Sequence, residues 1–327
     1  MSQTVITILG GGPAGASAAL AALAEGARVE LIEKSRLPRH KVCGEFFSPE
    51  IERELEVLGV WDGFLAAGPA RIRRMALYFG TRSKTALLPE GAWGLSRYVF
   101  DAMLAGEASA RVPTRHAEAC ATSAAPVHII GAGRPASKAV PGRRLFGFKA
   151  HFEGASNDAV ELYFFQGVYV GVAPIEGGRT NVCGLGPESF LKRFHFEYDE
   201  VLRQSPPLAE RVAPLRRVID WVSTGPLEYG QHFVSARDHL YPAGDALSFV
   251  DPFTGSGLLA AVRTGALAGR AAARLTPPEE YLRQCRASLR KPFAASKAMR
   301  SLVASGWAEK LIGLAPSRVL YALTRPR

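Results

Sequence analysis

Gly10-Gly11-Gly12-Pro13-Ala14-Gly15 lies between a β-branched apolar run, residues 4–9, and an alanine-rich stretch, residues 14–25. The spacing G-x-G-x-x-G belongs to loops that hold a diphosphate. Gly10 permits the tight turn, Gly12 lets a pyrophosphate reach the backbone, and Gly15 lets helix and strand pack closely. A helix opening at Pro13 and Ala14 would turn free N–H groups and a partial positive charge toward the phosphates. A second strand, residues 28–32, ends at Glu33 with Lys34 beside it. An acid about 20 residues past the glycines suits a ribose diol. Alone, the glycine pattern is weak; strand, helix, second strand and terminal acid in register make it a dinucleotide site. Gly15-Ala16-Ser17-Ala18-Ala19 falls one residue short of the nucleophile elbow G-x-S-x-G. Ser17 would also lie inside the helix, beyond the turn, so a serine hydrolase is set aside.

Further segments could serve the same ligand. Tyr241-Pro242-Ala243-Gly244-Asp245-Ala246 is followed by Asp251-Pro252-Phe253-Thr254-Gly255-Ser256-Gly257 and then, from Leu258, an apolar helix. Asp245 offers a hydrogen-bond acceptor, and the Gly255–Gly257 loop opens a helix whose N-terminal dipole favours negative charge. Arg39-His40-Lys41-Val42-Cys43-Gly44-Glu45 comes just after the Glu33 strand, with basic residues suited to a diphosphate. Arg97 opens a short helix in Leu95-Ser96-Arg97-Tyr98-Val99-Phe100-Asp101.

Taken together, these motifs resemble FAD-dependent oxidoreductases of the geranylgeranyl reductase-like and group A flavoprotein monooxygenase superfamily. The resemblance runs from Thr4 to about residue 275. It implies an α/β fold: a Rossmann-like FAD-binding domain of the glutathione-reductase type, an antiparallel-sheet substrate domain and a C-terminal helical segment. It implies FAD as cofactor, with NAD(P)H as a candidate electron donor. The implied cofactor-binding residues are Gly10, Gly12, Pro13, Ala14, Gly15, Glu33, Lys34, Lys41, Val42, Cys43, Gly44, Arg97, Gly244, Asp245, Pro252, Gly255, Gly257 and Leu258. Cys43, Glu45 and Tyr169 are the catalytic candidates, and none stands out as an obligatory base. His128-Ile129-Ile130-Gly131-Ala132-Gly133, formally a second glycine motif, resembles instead the turn that closes the FAD domain.

The chain also departs from that pattern. The interval between Ala108 and Val127 is short for the strand and β-meander expected there, and the Asp-Gly pair of the hydroxylases is absent. Tyr169-Val170-Gly171-Val172-Ala173-Pro174 keeps the Tyr, Gly and Pro of the reductases' aromatic motif but not its Trp and Phe. No W-x-W-x-I-P is present, which sets flavin halogenases aside. Monooxygenation and C=C reduction or dehydrogenation of a lipophilic or aromatic molecule stay open. So does a non-catalytic nucleotide- or lipid-binding module that kept the fold.

The 327 residues, 47% hydrophobic and 21% charged, are enough for two domains with full cores. The resemblance implies a division into an FAD-binding domain (1–70, 95–140 and 235–290), a substrate domain (71–94 and 141–234) and a helical basic tail (291–327). The net charge of +10 is uneven: residues 281–327 hold ten Lys and Arg against one acid, Glu309. A basic tail does not favour nucleic acid as partner; it suits a peripheral contact with anionic lipid or an acidic carrier protein, or a helical cap. Four scattered cysteines without C-x-x-C fit reduced thiols in a cytoplasm, and the histidine spacing offers no metal motif. The uncharged first 24 residues, lacking a basic start and broken by glycines, are expected to be the nucleotide loop rather than a leader.

Overall fold

A computed structural model describes residues 5–80, 82–117, 127–133, 144–227, 239–248 and 255–290. Pro252, Cys120, the turn residues from Arg134 onward to 143 and the basic tail 291–327 lie outside the described residues.

The chain begins with β1 (Val5–Leu9), α1 (Pro13–Ala24) and β2 (Arg28–Glu33), followed by β3 (Phe46–Phe47), α2 (Ile51–Val57) and α3 (Trp61–Ala66). Next come β4 (Ala70–Phe79), β5 (Arg82–Gly94), α4 (Arg97–Ser109), β6 (Thr114–His116) and β7 (Val127–Ile130). The central part holds β8 (Leu145–Glu153), β9 (Ala159–Phe165), β10 (Val168–Pro174) and β11 (Thr180–Pro187), then α5 (Glu188–Lys192), α6 (Tyr198–Arg203) and α7 (Pro206–Val212). After β12 (Arg216–Arg217), β13 (Val222–Leu227) and β14 (Leu240–Pro242), the chain enters α8 (Gly257–Ala273).

Two sheets organise these elements. Five parallel strands pair in the order β14-β7-β1-β2-β6, the arrangement of a nucleotide-binding domain. A nine-stranded sheet, β12-β8-β11-β10-β9-β4-β5-β3 with β13 beside β8, is antiparallel except where β4 meets β9. Phe46–Phe47 belongs to this second sheet by pairing with Gly94 and Trp93, although it follows the nucleotide motif closely in sequence.

Alternation along the central strands sorts their side chains. Phe148, Ala150 and Phe152 of β8, Val170 and Val172 of β10, and Val182 of β11 pack into one core with Tyr198 and Trp221. The intervening positions, Gly147, Tyr169, Gly171 and Cys183, face the opposite way, toward a cavity. Phe148, Phe152 and Trp221 therefore build the far core.

The helices α1 and α8 bring the two glycine loops together. A Cβ on Gly265 would stand 2.1 Å from the Ala14 carbonyl oxygen, and one on Gly269 would stand 2.2 Å from that of Ala18. Only glycine lets α1 and α8 approach so closely. The pairing of 265 with 14 and 269 with 18 makes the helices run in the same direction. The helix α8 begins eight residues before Gly265, so its tip projects roughly 12 Å beyond the start of α1. Two helix N-termini thus look onto one groove at different depths. No helix among the described residues is long and apolar enough to cross a membrane.

Candidate functional site

The glycine loop follows directly from strand β1. Gly10 has φ +101, and a Cβ there would be 2.6 Å from the Ala132 backbone. On Gly15, a Cβ would be 1.7 Å from the Gly10 carbonyl oxygen. Neither residue lines the cavity; both shape the turn that does. Glu33, buried at the end of β2, accepts from the Gly11 N–H at 2.6 Å and the Ser35 N–H at 2.8 Å. It thereby braces the loop, and Arg39 lies 3.6 Å from its Oε1. Lys34 is exposed and away from the cavity.

A cavity of about 550 Å³ lies between the two sheets. Gly12, Pro13 and Ala14 line one end, with Gly131 and Gly133 next to them. Gly244, Asp245, Gly255, Gly257 and Leu258 line it farther along, and the segment from His40 to Phe46 covers one side. Arg97 reaches it from the first turn of α4. Residues 12–14 therefore share one cavity with Gly244, Asp245, Gly255 and Gly257. Lys41 Nζ lies 3.8 Å from where a Cβ on Gly12 would sit, while a Cβ on Gly44 or Gly257 would meet nothing within 4 Å. These open positions leave room for a ligand against backbone at three points of the groove.

Charge is concentrated at the glycine-loop end. Burial, then the neighbouring Arg97 charge, lowers the Lys41 pKa to about 8. The Arg97 guanidinium holds Asp101 in two hydrogen bonds of 2.5 and 2.6 Å. Burial works against the Arg97 charge, but Asp101 outweighs it and keeps the pKa above its usual value. Burial raises the Cys43 pKa, which keeps the thiol protonated near neutral pH. Gly244 donates its N–H to Thr264 Oγ1 of α8 at 2.9 Å, fixing the turn that carries Asp245.

Glu45 differs from the expected free acid. It is fully buried, at φ +55, and its carboxylate meets three donors. Lys149 Nζ lies 2.5 Å and the Arg97 N–H 2.7 Å from Oε1, and His151 Nε2 lies 2.7 Å from Oε2. Burial pushes its pKa up, but the His151 hydrogen bond and the Lys149 charge prevail and hold it low. His40 stacks on Tyr98 at 4.7 Å and meets His151 edge-on at 5.2 Å. Burial, followed by the Lys149 and His151 charges, lowers the His40 pKa.

The other end of the cavity is aliphatic: Met75, Leu88, Val160, Leu162, Leu185 and Leu227. Tyr169 is the catalytic candidate found there, with Ser223 and Thr224 as further polar lining. Residue order alone does not single out Lys149, His151, Asn181, Glu176 or Thr264. For Lys149, His151 and Asn181 the one signal it carries is a polar residue at alternate positions of otherwise apolar strands.

Similarity to known proteins agrees with this geometry. The family model described as tryptophan halogenase matches residues 5–100. A stretch of 62 residues, 19% of this chain, is 42% identical to the 6-methylpretetramide 4-monooxygenase of Streptomyces rimosus but covers only 15% of that enzyme's length. A flavin-dependent brominase superposes with a TM-score of 0.80 at 18% identity, over 99% of this chain and 91% of its own. A geranylgeranyl bacteriochlorophyll reductase-like structure from Thermoplasma acidophilum gives a TM-score of 0.72 at 18% identity, over 93% and 88%. Halogenases thus share this fold even though the chain has no W-x-W-x-I-P. The fold is that of FAD-dependent oxidoreductases of the group A monooxygenase type. The chemistry of the groove fits such a cofactor: glycine backbone and Lys41 at one end, Asp245 midway and the tip of α8 beyond.

Proposed function

We propose that this protein uses FAD to oxidise a neutral lipophilic or aromatic small molecule, by hydroxylation or halogenation. One observation carries the reading: a single cavity is polar and charged where the glycine loops meet and aliphatic where it runs under β4, β9, β10 and β11. Gly12 and Lys41 hold the diphosphate, Asp245 accepts from the ribityl chain, and Arg97 with Gly257 and Leu258 borders the ring. FAD, when bound, supplies hydride transfer and oxygen activation. The chain supplies position and dryness. Its aliphatic walls exclude water, Tyr169 with Ser223 and Thr224 orients a hydroxyl or carbonyl of the substrate, and the protonated Cys43 is a passive contact. Glu45 anchors rather than exchanging protons.

Reduction of a C=C bond is a second reading, supported by the similarity to the geranylgeranyl reductase-like structure. The experiment is reconstitution with FAD, then anaerobic reduction with NADH, NADPH or dithionite in turn. Oxygen is then admitted with aromatic substrates, with and without bromide. Oxygen-dependent product marks hydroxylation, bromide-dependent product marks halogenation, and anaerobic reoxidation by an alkene marks the reductase. A chain that takes up no FAD refutes all three and leaves a non-catalytic module.

A further inference from the structure

Residues 42–46 are fastened to the large sheet almost residue by residue. Val42 lies over Gly147 of β8, where a Cβ would come within 2.9 Å of its Cγ1. The Cys43 carbonyl accepts from Asn181 Nδ2 of β11 at 3.0 Å. Glu45 takes Lys149 Nζ at 2.5 Å and His151 Nε2 at 2.7 Å, both from β8. In the register of the two strands Asn181 opposes His151 and Cys183 opposes Lys149, so all the anchors come from one small patch of paired backbone.

This patch is costly to build. Lys149 and Glu45 are both without solvent exposure. Replacing a buried ion pair by apolar residues is often neutral or stabilising, whereas removing one partner is strongly destabilising. Stability alone therefore gives no reason for Lys149 at this buried position of β8. Glu45 also adopts a left-handed backbone at φ +55, which is unfavourable for a non-glycine residue. The same carboxylate receives the Arg97 N–H, so a single side chain ties the segment both to β8 and to the first turn of α4. What all these bonds hold in place is the run Lys41–Gly44, which covers the groove beside Gly12 and Gly257.

We propose that Lys149, His151 and Asn181 are positioning residues for the cofactor, setting the height of residues 42–44 over the flavin so that the substrate sheet fixes the flavin's geometry. The proposal rests on the FAD reading above. It is tested with the full chain in the variants Lys149→Met, Glu45→Gln/Lys149→Met and Asn181→Ala. Three quantities are read: FAD affinity by flavin fluorescence, the visible circular dichroism of bound flavin, and the urea midpoint of the protein without FAD. The single charge variant loses both stability and FAD. The double variant regains the urea midpoint yet binds FAD about tenfold more weakly, equivalent to about 1.4 kcal/mol, with an altered dichroism. Asn181→Ala, which buries no unpaired charge, repeats the weakened binding and altered dichroism, and it decides alone if the double variant does not fold. Wild-type affinity and dichroism in Asn181→Ala overturn the proposal, as does a double variant that recovers FAD binding together with stability. A wild-type chain that binds no FAD overturns instead the cofactor reading, and that result appears before any variant is made.

Discussion

Ala14 and Gly265 meet so closely that the helix α8 has no room for a side chain at this point: a Cβ on Gly265 would lie 2.1 Å from the Ala14 carbonyl oxygen. Gly265→Ala must push α8 off α1 and separate the two tips that border the groove. Overpacking of this kind costs about 1–3 kcal/mol. A lowered urea midpoint together with lost FAD retention is expected, and unchanged retention would show that the helix contact does not set the groove.

Lys41 gives the site a pH dependence. In the function proposed above its charged form attracts the diphosphate, and its pKa in the free protein is about 8. A bound anion favours the protonated amine and raises that pKa. The attraction is therefore full below pH 8 and fades as the pH rises through it. FAD affinity measured by fluorescence across the range from neutral to strongly alkaline pH should fall above pH 8 in the wild type. Lys41→Met should bind weakly throughout, without that inflection.

Ser96, the cap of α4, is held by Glu176 from the other side of the molecule. Its N–H and its hydroxyl donate to the two carboxylate oxygens at 2.7 and 2.5 Å. Hydrogen bonds to a charged group contribute about 1.5–3 kcal/mol each. Glu176→Ala should lower the unfolding free energy in urea by about 2 kcal/mol or more. Because α4 carries Arg97, weaker FAD binding should accompany the loss.

Asp245 sits in the tight turn that Thr264 fixes, and it lines the groove. Asp245→Ala should purify colourless from cultures in which the wild type is yellow, with the same melting temperature for the two proteins stripped of FAD. An undiminished yellow protein would remove Asp245 from the cofactor contacts.

Gly171 marks the substrate end. A Cβ there would be at ordinary contact distance, 3.4 Å, from Leu162 Cδ2. Gly171→Val is therefore tolerated by the sheet but fills part of the cavity. Retained FAD with a raised KM for bulky substrates and a smaller effect on compact ones is the expected outcome. Equal effects on both would place the substrate elsewhere.

The local chemistry was legible from residue order. The loop Gly10–Gly15, the helix behind it, Glu33 at the end of β2 and the alternation of β8 to β11 all depend on neighbours within a few residues, where spacing dictates backbone geometry. A helical pattern also runs over residues 189–204, but it forms two short helices, Glu188–Lys192 and Tyr198–Arg203, because His195 and Phe196 at φ +51 and +61 interrupt it.

What the linear chain could not reveal is which faces meet. Glu45 reads as a free acid beside the flavin, and only packing brings Lys149 and His151, more than 100 positions away, onto its carboxylate. Residue order does not say which face of the sheet its aromatic residues take; the register turns Phe148 and Phe152 into the far core and leaves largely aliphatic walls. The amino-acid order thus determined the motifs and their intrinsic chemistry, because those rest on local backbone conformation and period. Tertiary structure decided which groups are neutralised, which are buried and which face the cavity, because a charge's role depends on its partners and on the water removed around it.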